Sequence, residues 1–200
     1  MNTNKPTVLA FAGPNGSGKS TITAAIAPVG VYINADEIQR VRECDPMEAA
    51  KIAERTREYY LSRNEDFTFE TVMSTERNVL LLERARAMGY DVECIYVTTC
   101  NPDINVQRVL VRMAAGGNAV PEEKIVPRYW RAMQFIPHLC NACSRLLIFD
   151  NSDDRLQGGE PTLIVEASNG SAVIHPTKHW NEAQLNDLVT GRFGPHSLTL

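Results

Sequence analysis

No stretch of this sequence is apolar for long enough to cross a bilayer, which takes roughly 20 consecutive residues. The apolar run nearest the N-terminus, Thr7 to Ala12, lasts about six residues before Gly13, also too short for a secretory h-region. It reads as a buried strand of a cytoplasmic protein, with no membrane association. Positive charge is not in excess either: 20 Lys and Arg face 24 Asp and Glu, for a net charge of −4. Without a global positive field, nucleic acid is not expected as the main partner. Cysteines are few and odd in number, at Cys44, Cys94, Cys100, Cys140 and Cys143, which argues for reduced thiols rather than a disulfide framework. Cys140 and Cys143 form a lone CxxC without a second pair or a close His, so core packing is the expectation. The four histidines, His138, His175, His179 and His196, show no metal-ligand spacing. Repeats and low-complexity linkers are absent, so residues 1–200 read as one domain.

What the sequence does contain is alternation of short apolar runs with helical patterns, the mark of a parallel sheet built from βαβ units. Strands are expected at Thr7 to Ala12, Val31 to Asn34, Phe67 to Val72, Tyr90 to Thr98 and Arg145 to Phe149. Helices are expected at Lys19 to Ala27, Pro46 to Arg63 after an Asp45 cap, Thr75 to Met88 before Gly89, Pro102 to Ala115, and Pro121 to about Cys143. Gly116-Gly117-Asn118-Ala119-Val120 suits a mobile link, and Asn151 to Pro161 a surface loop. Thr162 to Ala167, Asn169-Gly170 and Ala172 to His175 form a hairpin, and a short helix follows at about Asn181 to Val189. The expected fold is α/β: three layers around a mainly parallel five-stranded sheet, plus a C-terminal hairpin. The core spans about 7–152, and the hairpin with its helix about 160–190.

Gly13-Pro14-Asn15-Gly16-Ser17-Gly18-Lys19-Ser20 matches GxxxxGK[ST], directly after an expected strand and opening a helix. Glycines there let backbone N–H groups converge on a β-phosphate, and the helix N-terminus adds partial positive charge. The nucleotide-binding stretch is Gly13, Pro14, Asn15, Gly16, Ser17, Gly18, Lys19, Ser20 and Thr21. Lys19 would span the β- and γ-phosphates of ATP or GTP, and the Ser20 hydroxyl would ligate Mg2+.

Carboxyl ends of parallel strands line one crevice, which brings Asp36, after the second strand, toward the γ-phosphate. A carboxylate there takes a proton from an attacking hydroxyl or helps to hold Mg2+ through water; the plain alternative is a cap for a helix over Glu37 to Val41. Glu70 and Thr71 end the third strand on the same rim and are candidates for binding the acceptor; Glu70 could instead order magnesium-bound water, and a solvated strand-end acid is the plain alternative. Arg108 and Arg112 precede the glycine link, and Arg128 and Arg131 follow it, so 108–131 has the layout of a lid that neutralises transferred charge. A solvated basic face is the plain alternative. Leu146 to Asp150 also superficially offers the apolar strand and acid of an NTP-hydrolysing switch, although Asn151-Ser152 follow in place of a second acid.

The ordered set of Gly13 to Ser20, Ile33-Asn34-Ala35-Asp36, Phe69-Glu70-Thr71 and Arg108 through Gly116-Gly117 to Val120-Pro121 and Arg128-Tyr129 resembles the zeta toxin-like P-loop kinases over about Thr7 to Ser152. The resemblance implies transfer of the γ-phosphate to a hydroxyl of a small molecule such as UDP-N-acetylglucosamine or another sugar nucleotide. Other small-molecule or nucleotide acceptors stay open, as does the switch ATPase. It implies that Lys19 binds phosphate, Asp36 is the general base, Glu70 holds the acceptor, and Arg112 and Arg128 clamp the γ-phosphate. It also implies that Asp150-Asn151-Ser152 lie near the nucleotide base, and that an antitoxin protein is a candidate partner. The C-terminal hairpin departs from the best known toxins and leaves acceptor specificity open.

Overall fold

A computed structural model of the chain describes residues 5–117, 120–153 and 159–198. In chain order the elements are β1 (Thr7–Ala12), α1 (Lys19–Thr23), β2 (Val31–Ile33), α2 (Ala35–Arg42), α3 (Pro46–Ser62), β3 (Phe67–Thr71), α4 (Glu76–Ala87) and β4 (Asp91–Thr98). Then follow α5 (Pro102–Ala114), α6 (Glu122–Gln134), α7 (Ile136–Ala142), β5 (Arg145–Asp150), β6 (Thr162–Ser168), β7 (Ser171–Ile174) and α8 (Glu182–Thr190), with a final 3-10 turn, Pro195–Leu198. Successive side chains of a strand point to opposite faces, and β1 is apolar on both. Val8, Ala10 and Ala12 enter a large core cluster with residues of α3, α4, α6, α7 and α8. Leu9 and Phe11 enter a smaller one with Ile22 of α1. Helices therefore cover both faces, and the sheet is the middle of three layers.

The strand order is β2-β3-β1-β4-β5-β6-β7. The first five strands are parallel, as expected. The hairpin also forms, with Asn169 and Gly170 both left-handed at its tip. It is no appendage, however: β6 pairs antiparallel with β5, and β7 with β6, making one seven-stranded sheet. Ile164, Val165 and Ala167 of β6 are buried in the large cluster, and pairing removes the open edge that β5 would otherwise present.

Other boundaries differ for local reasons. The first helix stops at Thr23, and Ala25 and Ile26 continue in three-residue turns. The expected helix from Pro121 to Cys143 is two, broken at Phe135, since the ring of Pro137 cannot follow a regular turn over the Met133 carbonyl. Gly116 and Gly117 act as a helix stop rather than as the start of a loose link. Gly116 N–H donates to Met113 O at 3.0 Å and Gly117 N–H to Arg112 O at 2.9 Å, a Schellman pair with Gly116 at φ 83°. Asn118-Ala119 of that link, and residues 154–158 of the expected surface loop, lie outside the described residues. The Asp45 cap is present, its carboxylate accepting from the N–H groups of Met47 and Glu48. Cys94, Cys140 and Cys143 are buried and free, and burial pushes the Cys140 thiol up to about 11. No helix among the described residues is long and apolar enough to cross a membrane.

Candidate functional site

The sheet puts β1 at its centre with β3 and β4 as neighbours, so the loop leaving β1 is flanked by the carboxyl ends of both. Gly13 turns at φ 137°, and a Cβ there would lie 2.0 Å from the Val97 carbonyl oxygen of β4. Gly18 turns at φ 89°, where a Cβ would lie 2.1 Å from Asn151 Nδ2. Two asparagines hold the loop from outside. Asn105 Nδ2 of α5 donates to the Asn15 carbonyl at 2.6 Å, and Asn151 Nδ2 donates to the Ser17 carbonyl at 2.7 Å. A trans peptide sets each N–H opposite its carbonyl, so the Gly16 and Gly18 N–H groups point away from these asparagines. Asn151 is itself fixed, its N–H donating to Thr98 O at 2.8 Å and its carbonyl accepting from Arg108 Nη1 at 2.7 Å.

Lys19 Nζ is buried under the loop and donates to the carbonyls of Gly13 at 2.7 Å and Pro14 at 3.2 Å. Burial lowers its pKa, the carboxylates of Glu70 and Asp36 oppose that fall, and the Arg112 guanidinium adds to it. Asp36, Glu70 and Arg112 are thus brought within electrostatic reach of one ammonium group. The donor set fits a nucleotide with its cation. Ser17 Oγ is buried with no hydrogen-bond partner among the described residues, and Ser20, second residue of α1, is exposed.

Asp36 is the second residue of α2, and it is not the cap. Asn34 caps the helix, its Oδ1 accepting from Asp36 N–H at 2.8 Å and Glu37 N–H at 3.4 Å, which leaves the exposed Asp36 carboxylate uncommitted to capping. Glu70 lies opposite Phe11 of β1, and Thr71 opposite Ala12, one residue before Gly13. Glu70 Oε2 accepts from Tyr32 OH at 2.9 Å and from Asn34 Nδ2 at 3.1 Å. Thr71 Oγ1 accepts from Met73 N–H at 3.0 Å and from Asn78 Nδ2 at 2.7 Å, so its oxygen braces the turn after β3. Beside Ser20 and Tyr32 opens a cavity of about 260 Å³ walled by Phe11, Thr23, Ile26 and Pro28.

The arginines separate. The Arg112 charge acts on Lys19, and Gly117 packs against the Arg112 stem, where a Cβ would lie 2.7 Å from Arg112 Cγ. Arg108 turns instead to the end of β5, donating to the carbonyls of Asn151 and Asp153. On α6, Arg128 is half-buried and Arg131 exposed. Tyr129 is buried and donates to Thr99 O at 2.6 Å, which is a packing role. Asp150 is also buried; Ser152 Oγ donates to it, and desolvation raises its pKa. With β4 between β5 and β1, this acid stands one strand away from the loop-bearing strand. Tyr32, Asn34 and Asn105 carry structural duties at the site that were not anticipated. Asn34 and Asn151 belong to the motifs after the second and fifth strands, where a polar side chain directly after a strand is the signal.

Residues 1–157 match the family described as Zeta toxin. An uncharacterized protein of Haemophilus influenzae is 26% identical over 126 residues, which is 60% of this chain and 89% of that protein. Among solved structures, the chain is similar to one in the AvrRxo1-ORF1:ORF2 complex with ATP, at TM-score 0.66 and 15% identity over 96% of this chain and 65% of that one. It is also similar to a structure of the PezAT chromosomal toxin-antitoxin system of Streptococcus pneumoniae, at TM-score 0.53 and 15% identity over 98% of this chain and 83% of that one. Both likenesses are of fold, and the chain spans about 65% of the AvrRxo1 chain's length. The family match runs from the first strand past Asn151 and takes in the loop, both acids and the four arginines; the chain belongs to the zeta toxin family.

Proposed function

We propose that this protein is a kinase that moves the γ-phosphate of ATP onto a hydroxyl of a small molecule, with a sugar nucleotide of the UDP-N-acetylglucosamine type as the first acceptor to test. Family membership and the ATP-bound structure of a protein with the same fold support the coarse reading. The observation that carries it is the placement of Asp36 at the start of α2 and Glu70 at the end of β3 beside the phosphate loop, the two joined through Asn34. A phosphate loop alone binds nucleotide, whereas acids and an arginine around its lysine are the parts that transfer requires.

In this reading Gly13 to Thr21 hold the phosphates, and Lys19 spans the β- and γ-groups. Ser20 would hold Mg2+, which when bound draws the phosphate oxygens together and offsets their charge. Glu70, kept in place by Tyr32 and Asn34, orients the acceptor together with Thr71, and the cavity beside Tyr32 gives the acceptor room. Asp36 accepts the hydroxyl proton as the oxygen attacks phosphorus. The bond from the γ-phosphorus to the bridging oxygen breaks, and its electron pair leaves with ADP. Arg112 and Arg128 stabilise the charge on the group in flight. An antitoxin-type protein covering the nucleotide site is the proposed partner, by analogy with the PezAT system.

The test is a panel of sugar nucleotides, nucleosides and nucleoside monophosphates incubated with labelled ATP or GTP and Mg2+. Label on a sugar hydroxyl is the expected result. Label on a nucleoside monophosphate alone overturns the sugar-nucleotide reading, and nucleotide hydrolysis without any labelled acceptor overturns the kinase reading.

A further inference from the structure

The helix that bears Asp36 lies against α3 without burying any of its own residues fully. It is eight residues long, none of them buried, and it follows a three-residue edge strand paired only with β3. Ala35 and Ile38 pack partially on the core, alongside the contact with α3. Its hydrogen-bonded anchor is the residue at its start. Asn34 Oδ1 caps the helix through the N–H groups of Asp36 and Glu37, while Nδ2 of the same amide donates to Glu70 Oε2 at 3.1 Å and to Tyr32 OH at 3.2 Å. Tyr32 OH closes the arrangement by donating to the same Glu70 oxygen at 2.9 Å. One planar amide therefore joins the N-terminus of α2 to the carboxylate of β3.

Resting on the kinase reading above, we infer that Asn34 is a positioning residue that ties the Asp36-bearing helix to Glu70, so that the base and the acceptor-binding acid keep one separation. The chemistry demands an amide. Capping requires an acceptor, and the contact to Glu70 requires a donor, and Asn offers the two on separate atoms of one short side chain. Asp caps a helix as well as Asn but has no hydrogen to give Glu70, and it would set two carboxylates against each other. Ser caps too and has one short hydroxyl for both duties. The residue's two roles are thereby separable by substitution.

Asn34→Asp keeps the cap and cuts the tie. Its Asp36 and Glu37 amides should exchange faster than in wild type, because the tie is lost, yet slower than in Asn34→Ala, which loses the cap as well, and its melting temperature should fall with a second carboxylate facing Glu70. Its kcat for the acceptor should fall by about 100-fold, the scale of a misplacement near 1 Å. Its KM for nucleotide should stay within about twofold, since the phosphate loop is untouched. Wild-type kcat in Asn34→Asp reduces Asn34 to a cap and overturns the inference. A second arm does not depend on catalysis: Glu70→Ala should speed hydrogen exchange at the Asp36 and Glu37 amides, although residue 70 lies on another strand. Unchanged exchange in Glu70→Ala refutes the tie. Should the wild type phosphorylate no acceptor, the kinase reading fails, and this exchange measurement still decides whether the two elements are coupled.

Discussion

Replacing Asn151 tests whether the phosphate loop is held from behind. Asn151 is 3% exposed, and its Nδ2 donates to the Ser17 carbonyl at 2.7 Å, 134 residues away in sequence. Asn151→Ala leaves that buried carbonyl without its donor, at a cost of about 1–3 kcal/mol. For a chain of this size the loss amounts to a fall of about 2–12 °C in melting temperature. Part of it is local to the loop. To the extent that the loop must be reordered when nucleotide binds, affinity falls, by up to roughly 5- to 150-fold if the whole cost appears there. Asn151→Asp sharpens the test, because it keeps the shape and turns the donor into an acceptor. A buried carboxylate then faces a carbonyl oxygen beside the phosphate site, so this variant should be worse than Asn151→Ala in both respects. Thermal melts and fluorescence titration with an ATP analogue measure the two quantities. The order wild type, Ala, Asp in both supports the tether; an Asp variant with wild-type melting and affinity refutes it.

The two glycine substitutions Gly13→Ala and Gly89→Ala both place alanine in left-handed backbone, but a Cβ at Gly13 meets Val97 O at 2.0 Å, and one at Gly89 meets nothing within 4 Å. Gly89→Ala should cost about 1–2 kcal/mol by denaturant titration, and Gly13→Ala clearly more, with loss of nucleotide binding. The Tyr32 phenol is pushed up to about 12, chiefly by burial. Its folded value exceeds the unfolded one, so its contribution to stability is complete below pH of about 10 and is lost as pH rises toward 12; Tyr32→Phe should remove that alkaline component in melts across pH and raise the acceptor KM. Burial raises the Asp150 carboxyl, so the fold favours its protonated form, and the penalty for ionising it is full at neutral pH. Asp150→Asn should therefore melt higher than wild type at pH 7, with the gap closing below pH of about 4, and a variant that melts lower at pH 7 contradicts the desolvation argument.

The parts of the site legible in the sequence are those whose signal is contiguous. The phosphate loop needs eight adjacent residues in a strand–turn–helix context, and the acids at 36 and 70 follow from the rule that strand ends line the crevice. The ties among them are not contiguous. Asn34 and Glu70 are 36 residues apart and meet only because β2 pairs with β3, a register that the sequence of either strand leaves open. Asn151 was visible after the fifth strand, yet its grip on Ser17 depends on the strand order β1-β4-β5. The helix α2 is legible only as the alternative reading of Asp36, over Glu37 to Val41, because it is short, polar on average and buries no residue fully. The break at Phe135 is marked in the sequence by Pro137 alone, inside a long apolar pattern that reads as one helix. That the hairpin forms was evident from Asn169-Gly170; that it extends the sheet depends on which edge was left open.

The role of Asp36 is the central claim, and Asp36→Asn tests it most directly. Nucleotide affinity and acceptor phosphorylation are measured on the same preparation, the second by mass spectrometry of a metabolite extract incubated with ATP and Mg2+. A variant that binds ATP as wild type does and yields no phosphorylated metabolite is the predicted result. Phosphorylation at the wild-type rate, with the aspartate gone, would contradict the account.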